Sequence, residues 1–175
     1  MKYDRARHHR RSIRLRDFDY AASASYFITL CTYQRECIFG KVVDDHIVLG
    51  PYGEIVREEW ERSAVVRPGF VLDAFVIMPN HLHGIVAMTP TGSVGAHSCA
   101  PLQRQPRSLA SFVAQFKATA TRRINVTRHT PGAPVWQRNY YEHVIRDEDD
   151  YLRILPYIED NPRRWSEDEY NPALT

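Results

Sequence analysis

The segment VIMPNHLHGIV, residues 76–86, places two histidines one residue apart inside an apolar run. Its β-branched residues and its Pro-Asn turn predict two antiparallel strands that meet at the turn. Side chains two residues apart share one face of a strand, so His81 and His83 point the same way and Leu82 points the other way. Such a pair can hold one divalent cation, or it can be two hydrogen-bonded rings at an ordinary strand edge.

The remaining apolar periodicity predicts further strands and helices around this pair. In the helix predicted for 108–126, Ser108 is the expected cap, and one stripe is apolar: Leu109, Phe112, Val113, Phe116 and Ala120. The predicted strands are 26–35, 46–50, 70–80, 81–88 and 135–145, and the other predicted helices are 51–66 and 146–162. This order is typical of an α+β fold in which helices pack on an antiparallel sheet.

Length and composition indicate one globular domain, with 175 residues of which 43% are hydrophobic. We divide the chain into a basic arm at 1–20, a main domain at 21–166 with a long Gly/Pro/Ser-rich loop at 89–108, and a C-terminal tail at 167–175. Three cysteines without paired spacing argue against a disulfide framework and favour a reducing cytoplasm. No apolar stretch is long enough for a membrane span, and the basic N-terminus lacks the apolar region of a signal peptide.

Positive charge is unevenly distributed, although the net charge is only +2. Uneven charge of this kind indicates a polyanionic partner, with nucleic acid the first candidate, or else a solvated arm and ordinary helix faces. The candidate phosphate-binding residues lie in the arm and on the face formed by residues 117–128: Arg10, Arg11, Arg14, Lys117, Arg122, Arg123 and Arg128.

The last predicted helix carries Tyr157 and Asn161, four residues apart and so on one helix face. A tyrosine hydroxyl can act as a nucleophile when a metal or base assists it, and an amide oxygen can bind a hard cation. The structural alternative is that Tyr157 packs on the sheet and Asn161 ends the helix before Pro162. Pro156 removes one hydrogen bond of this helix and is expected to bend it or to mark its start.

Three segments in this order, VIMPNHLHGIV, VWQRNYYEHVIRDEDDY and YIEDNP, resemble the REP-associated tyrosine transposases, which belong to the single-tyrosine HUH (His-hydrophobe-His) transposases. The resemblance covers about residues 26–165 and implies a ferredoxin-like fold. It also implies that His81 and His83 bind Mg²⁺ or Mn²⁺, that Asn161 is a third ligand, and that Tyr157 is the nucleophile.

The resemblance further implies a substrate and a reaction. The substrate would be single-stranded DNA with hairpins formed by palindromic repeats, cleaved and rejoined through a 5′-phosphotyrosine by a protein of the cytoplasm and nucleoid. Tyr140, Tyr141 and Trp136 are candidates to stack unpaired bases, and Tyr140, Tyr141 and Tyr151 are rival nucleophiles. A non-catalytic hairpin-binding protein and a structural metal protein are the alternatives, and neither a monomer nor a homodimer is favoured.

Overall fold

A computed structural model describes residues 24–89 and 108–174. The predicted basic arm with Arg10, Arg11 and Arg14, and all but the two ends of the predicted loop at 89–108, lie outside the described residues. The predicted domain boundaries therefore stay predictions. The described elements are β1 (Ala24–Cys31), β2 (Gly40–Val43), β3 (His46–Leu49), α1 (Pro51–Val65), β4 (Phe70–Ile77), β5 (His81–Met88), α2 (Leu109–Thr127), β6 (Tyr141–Ile145) and α3 (Glu148–Glu159).

Four of the strands form one antiparallel sheet in the order β4-β5-β1-β6, and β2 pairs with β3 as a separate hairpin. With the hairpin set aside, the chain runs β1-α1-β4-β5-α2-β6, which is the ferredoxin-like order. The predicted α+β fold, an antiparallel sheet flanked by helices, is confirmed. In this topology β1 and β5 are the two central strands, so a side chain on either of them is well placed to be buried.

The two faces of the sheet carry separate cores because side chains alternate along each strand. Ile28 and Leu82 belong to the core that the sheet makes with α1 and α2. Phe27 and Ile85 belong to the core that it makes with α3. The predicted apolar stripe of α2 is buried at all five positions, and Ser108 caps the helix by accepting a hydrogen bond from the backbone N–H of Ser111 at 3.1 Å.

Several elements differ from the sequence predictions. The strand predicted for 26–35 ends at Cys31, and Tyr33–Arg35 form a 3₁₀ turn. The hairpin strand β2 was not predicted, and it turns into β3 through Asp44 and Asp45, both of which have positive φ, as primed hairpin turns require. The strand predicted for 135–145 covers only Tyr141–Ile145. Before β6, Trp136 pairs with Thr32 only in an isolated bridge, and the carbonyl oxygens of Gln137 and Asn139 accept hydrogen bonds from the Lys117 ammonium group.

Helix α3 runs through Pro156 and ends at Glu159, so Asn161 lies in the turn after the helix and not on its face. No helix within the described part of the chain is long and apolar enough to cross a membrane.

Candidate functional site

The two histidines of β5 lie in the interior, on the face of the sheet that α3 covers. Both are essentially inaccessible to solvent, with exposures of 0% for His81 and 1% for His83. Their ring centroids are 4.5 Å apart with an angle of 65° between the planes. The prediction that the two side chains point the same way is therefore confirmed, and each ring must find its hydrogen-bond partners inside the protein.

The tautomer of His81 follows from its neighbour Asn80. The amide nitrogen of Asn80 donates to the carbonyl oxygens of Arg35 at 3.0 Å and Tyr170 at 2.6 Å. The amide oxygen of Asn80 is therefore the atom that faces Nδ1 of His81, at 2.9 Å. Because an amide oxygen only accepts, Nδ1 must carry the proton, and Nε2 keeps a free lone pair. That Nε2 atom is buried and has no hydrogen-bond partner among the described residues.

His83 is held from both sides. Its Nδ1 is 2.8 Å from the hydroxyl of Thr29 on the neighbouring strand β1, which is directly opposite in the register. Its Nε2 is 3.4 Å from the hydroxyl of Tyr157 on α3. The ring also stacks on Phe27, with centroids 5.4 Å apart. The predicted nucleophile and the predicted metal-binding pair thus meet, although 74 residues separate them in the chain.

Two more oxygen-bearing side chains complete the cluster. Oδ2 of Asp168 lies 3.9 Å from Nε2 of His81. His81, His83 and Asp168 each present a ligand atom, all within 4.8 Å of one another. Asn161 is buried beside them, and its amide oxygen has no hydrogen-bond partner among the described residues. The segment beyond residue 166 therefore lies against the histidine pair, with Asp168 and Asn171 buried.

Burial dominates the electrostatics of this cluster. It lowers the pKa of His81 to about 3, against a smaller opposing effect of Asn161, and it lowers the pKa of His83 together with the charge of His81. Burial also raises the pKa of Asp168 and of Tyr157. Both imidazoles are consequently neutral at pH 7, which is the form that binds metals, and the Tyr157 hydroxyl is protonated.

The ligand atoms of this cluster are suitable for binding a cation. His81 Nε2 and Asn161 Oδ1 are both buried acceptors without a donor among the described residues, and the Asp168 carboxylate is next to them. Buried acceptors that face one another without a proton between them repel, and a cation removes that repulsion. Two imidazoles with carboxylate and amide oxygens suit a hard or borderline divalent ion such as Mg²⁺ or Mn²⁺.

The rival tyrosines occupy other environments. Tyr151 is buried in the core under α3, and Tyr140 packs towards the α1/α2 core with the Lys117 ammonium 5.8 Å from its ring centroid. Tyr141 is 56% exposed on β6. Tyr170, which the sequence did not indicate, has its ring centroid 4.7 Å from that of His81.

Comparison with known proteins gives a consistent result, although no protein-family model matches the chain. An uncharacterized protein of Haemophilus influenzae (strain ATCC 51907 / DSM 11121 / KW20 / Rd) is 40% identical over 177 residues, which is 96% of each chain, and the two belong to one family. A second protein of that strain, provisionally named a REP-associated tyrosine transposase, is 26% identical over 145 residues, 82% of this chain and 73% of its own length. The chain is similar to the REP-associated tyrosine transposases. The resemblance read from the sequence is confirmed.

The solved structure of a REP-associated tyrosine transposase bound to a REP hairpin has the same fold. Its TM-score is 0.58 with 21% identity, over 84% of this chain and 71% of that one. The sequence analysis missed several residues beside the histidine pair, among them Thr29, Asn80, Asp168 and Tyr170. Asn80 could have been suspected because it precedes His81 directly, whereas Thr29 and Asp168 become neighbours only through the fold.

Three of the four predicted phosphate-binding residues at 117–128 are bound to partners within the protein. Lys117 binds two carbonyl oxygens, and burial lowers its pKa to about 8. Arg123 is paired with Glu58 at 2.5 Å and Glu59 at 2.8 Å, and Arg128 binds Asn125 and the carbonyl oxygen of Pro134.

Arg122 has no guanidinium partner among residues 24–89 and 108–174, and it lines a groove of about 1000 Å³ beside α2 together with Arg138. Trp136, a candidate for base stacking, also lines this groove, but its ring packs against Phe39 and Phe116 and its exposure is 8%, so little of it is accessible to a base.

Proposed function

We propose that this protein is a metal-dependent single-strand DNA transposase that cleaves and rejoins DNA at hairpin-forming palindromic repeats through a 5′-phosphotyrosine. The observation that carries the proposal is the 3.4 Å approach of the Tyr157 hydroxyl to Nε2 of His83, inside a cluster of unpaired metal-ligand atoms. A nucleophile fixed next to a cation site supplies the two things that phosphoryl transfer needs, positioning and charge stabilisation.

The ligands of the ion in this proposal are His81, His83 and Asn161, with Asp168 as an additional carboxylate. Mg²⁺ or Mn²⁺ bound there would stabilise the negative charge of the scissile phosphate. Asn80 and Thr29 hold the two imidazoles in orientation, so the ligand atoms need little rearrangement.

Tyr157 carries out the bond exchange. Its oxygen attacks phosphorus, the bond from phosphorus to the 3′-oxygen breaks, and the products are a 5′-phosphotyrosine and a free 3′-OH. Because burial raises the pKa of Tyr157, its hydroxyl proton passes to solvent water as the new bond forms, and the departing 3′-oxygen takes up a proton from solvent. The phosphotyrosine keeps the energy of the phosphodiester, so a 3′-OH can later attack it and rejoin the strands.

Single-stranded or hairpin DNA is the proposed partner. The neighbouring transposase structure contains a REP hairpin, which supports this choice. Of the α2 residues, Arg122 is the one that we propose contacts phosphate directly, because Lys117, Arg123 and Arg128 have partners within the protein. Arg10, Arg11 and Arg14 would add phosphate contacts from the arm. Chromosomal DNA as substrate would place the protein in the cytoplasm, at the nucleoid.

A covalent-adduct assay tests the proposal. Labelled single-stranded oligonucleotides from the repeats flanking the gene are incubated with the protein and Mg²⁺ or Mn²⁺, and the products are separated on a denaturing gel. We expect an adduct that disappears in Tyr157→Phe, in His81→Ala and with EDTA. Tyr33→Phe is the matched control, because Tyr33 is an exposed tyrosine, at 42%, that lies outside the histidine cluster.

The other outcomes are equally informative. An adduct that persists in Tyr157→Phe would assign the nucleophile to another tyrosine, and Tyr170→Phe would then be tested because of its contact with His81. Tight hairpin binding without any adduct would support the alternative, a non-catalytic hairpin-binding protein. A large loss of thermal stability on metal removal, with no effect of DNA, would indicate a structural metal protein.

A further inference from the structure

A cavity of about 570 Å³ opens directly beside Tyr157, between α3 and the edge strand β6. Six of its lining residues carry the argument: Phe27, Tyr141, His143, Arg153, Tyr157 and Arg164. Tyr141 and His143 are two residues apart on β6 and so face the same side of the sheet as Phe27, which is opposite His143 in the register. We call this space the α3–β6 cavity.

One wall of the α3–β6 cavity is a continuous aromatic surface. The Phe27 ring contacts Tyr141 and Tyr157 edge-to-face, with centroid distances of 6.2 Å and 5.9 Å. Phe27 is buried, whereas Tyr141 is 56% exposed, so the outer part of the wall is accessible to a ligand. An exposed ring supported from behind by a buried ring is a platform on which a planar group can stack.

The other side of the cavity is polar and cationic. Nε2 of His143 is 2.7 Å from a carboxylate oxygen of Asp150, whose other oxygen binds Arg153, so the imidazole and one guanidinium are held in place. Arg164 lines the cavity together with Tyr157, and its guanidinium has no partner among the described residues. Asp160 is the one carboxylate of the lining, and it is paired with Arg163 at 2.9 Å.

We propose that the α3–β6 cavity holds one unpaired nucleotide adjacent to the phosphate that Tyr157 attacks, with its base on Tyr141 and its phosphate at Arg164. The inference rests on the proposed function and adds a subsite to it. An aromatic platform combined with cations is the general means of binding an unpaired nucleotide, since every base has a face that stacks and every nucleotide carries a negative charge. The cavity shares Tyr157 with the cation site, so the nucleotide would adjoin the reacting phosphate.

Fluorescence of 2-aminopurine, which decreases when the base stacks, tests this subsite. The probe is a stem-loop oligonucleotide from the flanking repeats with a single-stranded tail, in which each tail position in turn is 2-aminopurine. Binding is measured with Tyr157→Phe protein, so no cleavage interferes. We expect quenching at one tail position, and we expect the added substitution Tyr141→Leu to abolish it and to weaken binding about tenfold, the size of one lost base–aromatic stack.

Tyr33→Leu is the matched control, because Tyr33 is also a well-exposed tyrosine, at 42%, but lies outside the cavity. It should leave the quenching unchanged. Arg164→Gln should reduce the slope of log K against log salt by about 0.7, the value for one phosphate contact on a single strand. Quenching that survives Tyr141→Leu, or DNA binding without quenching at any position, would overturn the subsite and leave the proposed function intact. Absence of DNA binding by every form would overturn the proposed function and the subsite together.

Discussion

The side-chain oxygen of Asn80 accepts a hydrogen bond from Nδ1 of His81 at 2.9 Å, while the nitrogen of the same amide binds the carbonyl oxygens of Arg35 and Tyr170. A single buried side chain thus selects the tautomer of a candidate metal ligand. It also ties that ligand to two distant segments of the chain. The quality of the cation site should therefore depend on a residue that touches neither metal nor DNA.

We expect Asn80→Ala to weaken Mn²⁺ binding about 10- to 100-fold, because the partner of a metal-binding histidine orients the ring and raises its basicity. Isothermal titration calorimetry of the folded variant measures the affinity. Asn125→Ala is the control, because Asn125 is another buried amide that donates to a carbonyl oxygen, that of Ala133, away from the site. It should lower the free energy of unfolding without changing the affinity. Equal affinities for Asn80→Ala and the unmodified protein would contradict the role of Asn80.

Asp168 should contribute to cation binding even though it lies beyond the segments that resemble the transposases. We expect Asp168→Asn to weaken Mn²⁺ binding at least about tenfold, because it removes the negative charge nearest to Nε2 of His81. The neighbouring residue Glu169 is exposed, so Glu169→Gln changes the net charge equally and should leave the affinity within about twofold. Titration with Mn²⁺ at constant ionic strength compares the two variants, and a similar effect of both would reduce the role of Asp168 to long-range charge.

The adjacent arginines of α2 should differ in their effect on DNA binding. We expect Arg122→Gln to reduce the slope of log K against log salt by about 0.7 to 0.9, because the free guanidinium in the groove is available to phosphate. Arg123→Gln should leave the slope unchanged, because this guanidinium is paired with Glu58 and Glu59. Fluorescence anisotropy with hairpin DNA over a range of salt concentrations measures both slopes. Equal slopes for the two variants would refute the assignment.

The pair of Glu59 and Arg123 makes stability depend on pH. Burial alone would raise the pKa of Glu59, but hydrogen bonds from Arg123 and Thr119 outweigh it and lower the pKa below its ordinary value of 4.5. A carboxyl whose pKa is lowered by folding stabilises the protein above pH 4.5, and this stabilisation disappears as the pH falls through the lowered pKa.

We expect Glu59→Gln to lower the free energy of unfolding by about 1 kcal/mol at pH 7, because it removes the buried carboxylate that binds the partly exposed Arg123 guanidinium. The deficit should shrink as the pH falls from about 4.5, the ordinary pKa of Glu59, through its lowered pKa, because protons then bind first to the unfolded and finally to the folded carboxylate of the unmodified protein. Urea denaturation at pH 7 and pH 3 measures the difference. A deficit of equal size at both pH values would show that packing, and not charge, is responsible.

Sequence patterns predicted most of the fold because the elements concerned bury one clear face. The apolar stripe of α2 is an example of this, whereas β5, which is buried on both faces, was predicted from its apolar and β-branched composition beside the Pro-Asn turn. The resemblance to the REP-associated tyrosine transposases predicted that His81, His83 and Tyr157 form one site. Their proximity in the structure agrees with this prediction. Whether these residues bind metal and attack DNA stays a prediction.

Sequence patterns did not predict the structure where contacts between distant segments determine the conformation or the position of a residue. Residues 135–140 have strand-like composition, yet Lys117 binds the carbonyl oxygens of Gln137 and Asn139. Asp168 follows no helical or strand pattern, so only the folded chain reveals that it lies beside His81. Trp136 was a candidate for base stacking because it is aromatic and lies near the predicted site, but composition alone could not show that the ring packs against Phe116 in the core.

The alternation of β5 has a consequence for how the site can be lost. His81, His83 and Ile85 face α3, while Leu82 and Val86 face α1 and α2. Slippage of β5 by one residue would exchange the two sets, which would move both imidazoles into the apolar core and a leucine into the cation site. The register that packs the protein is therefore the same register that assembles its reactive groups, and a chain that misaligns this strand can be neither well folded nor active.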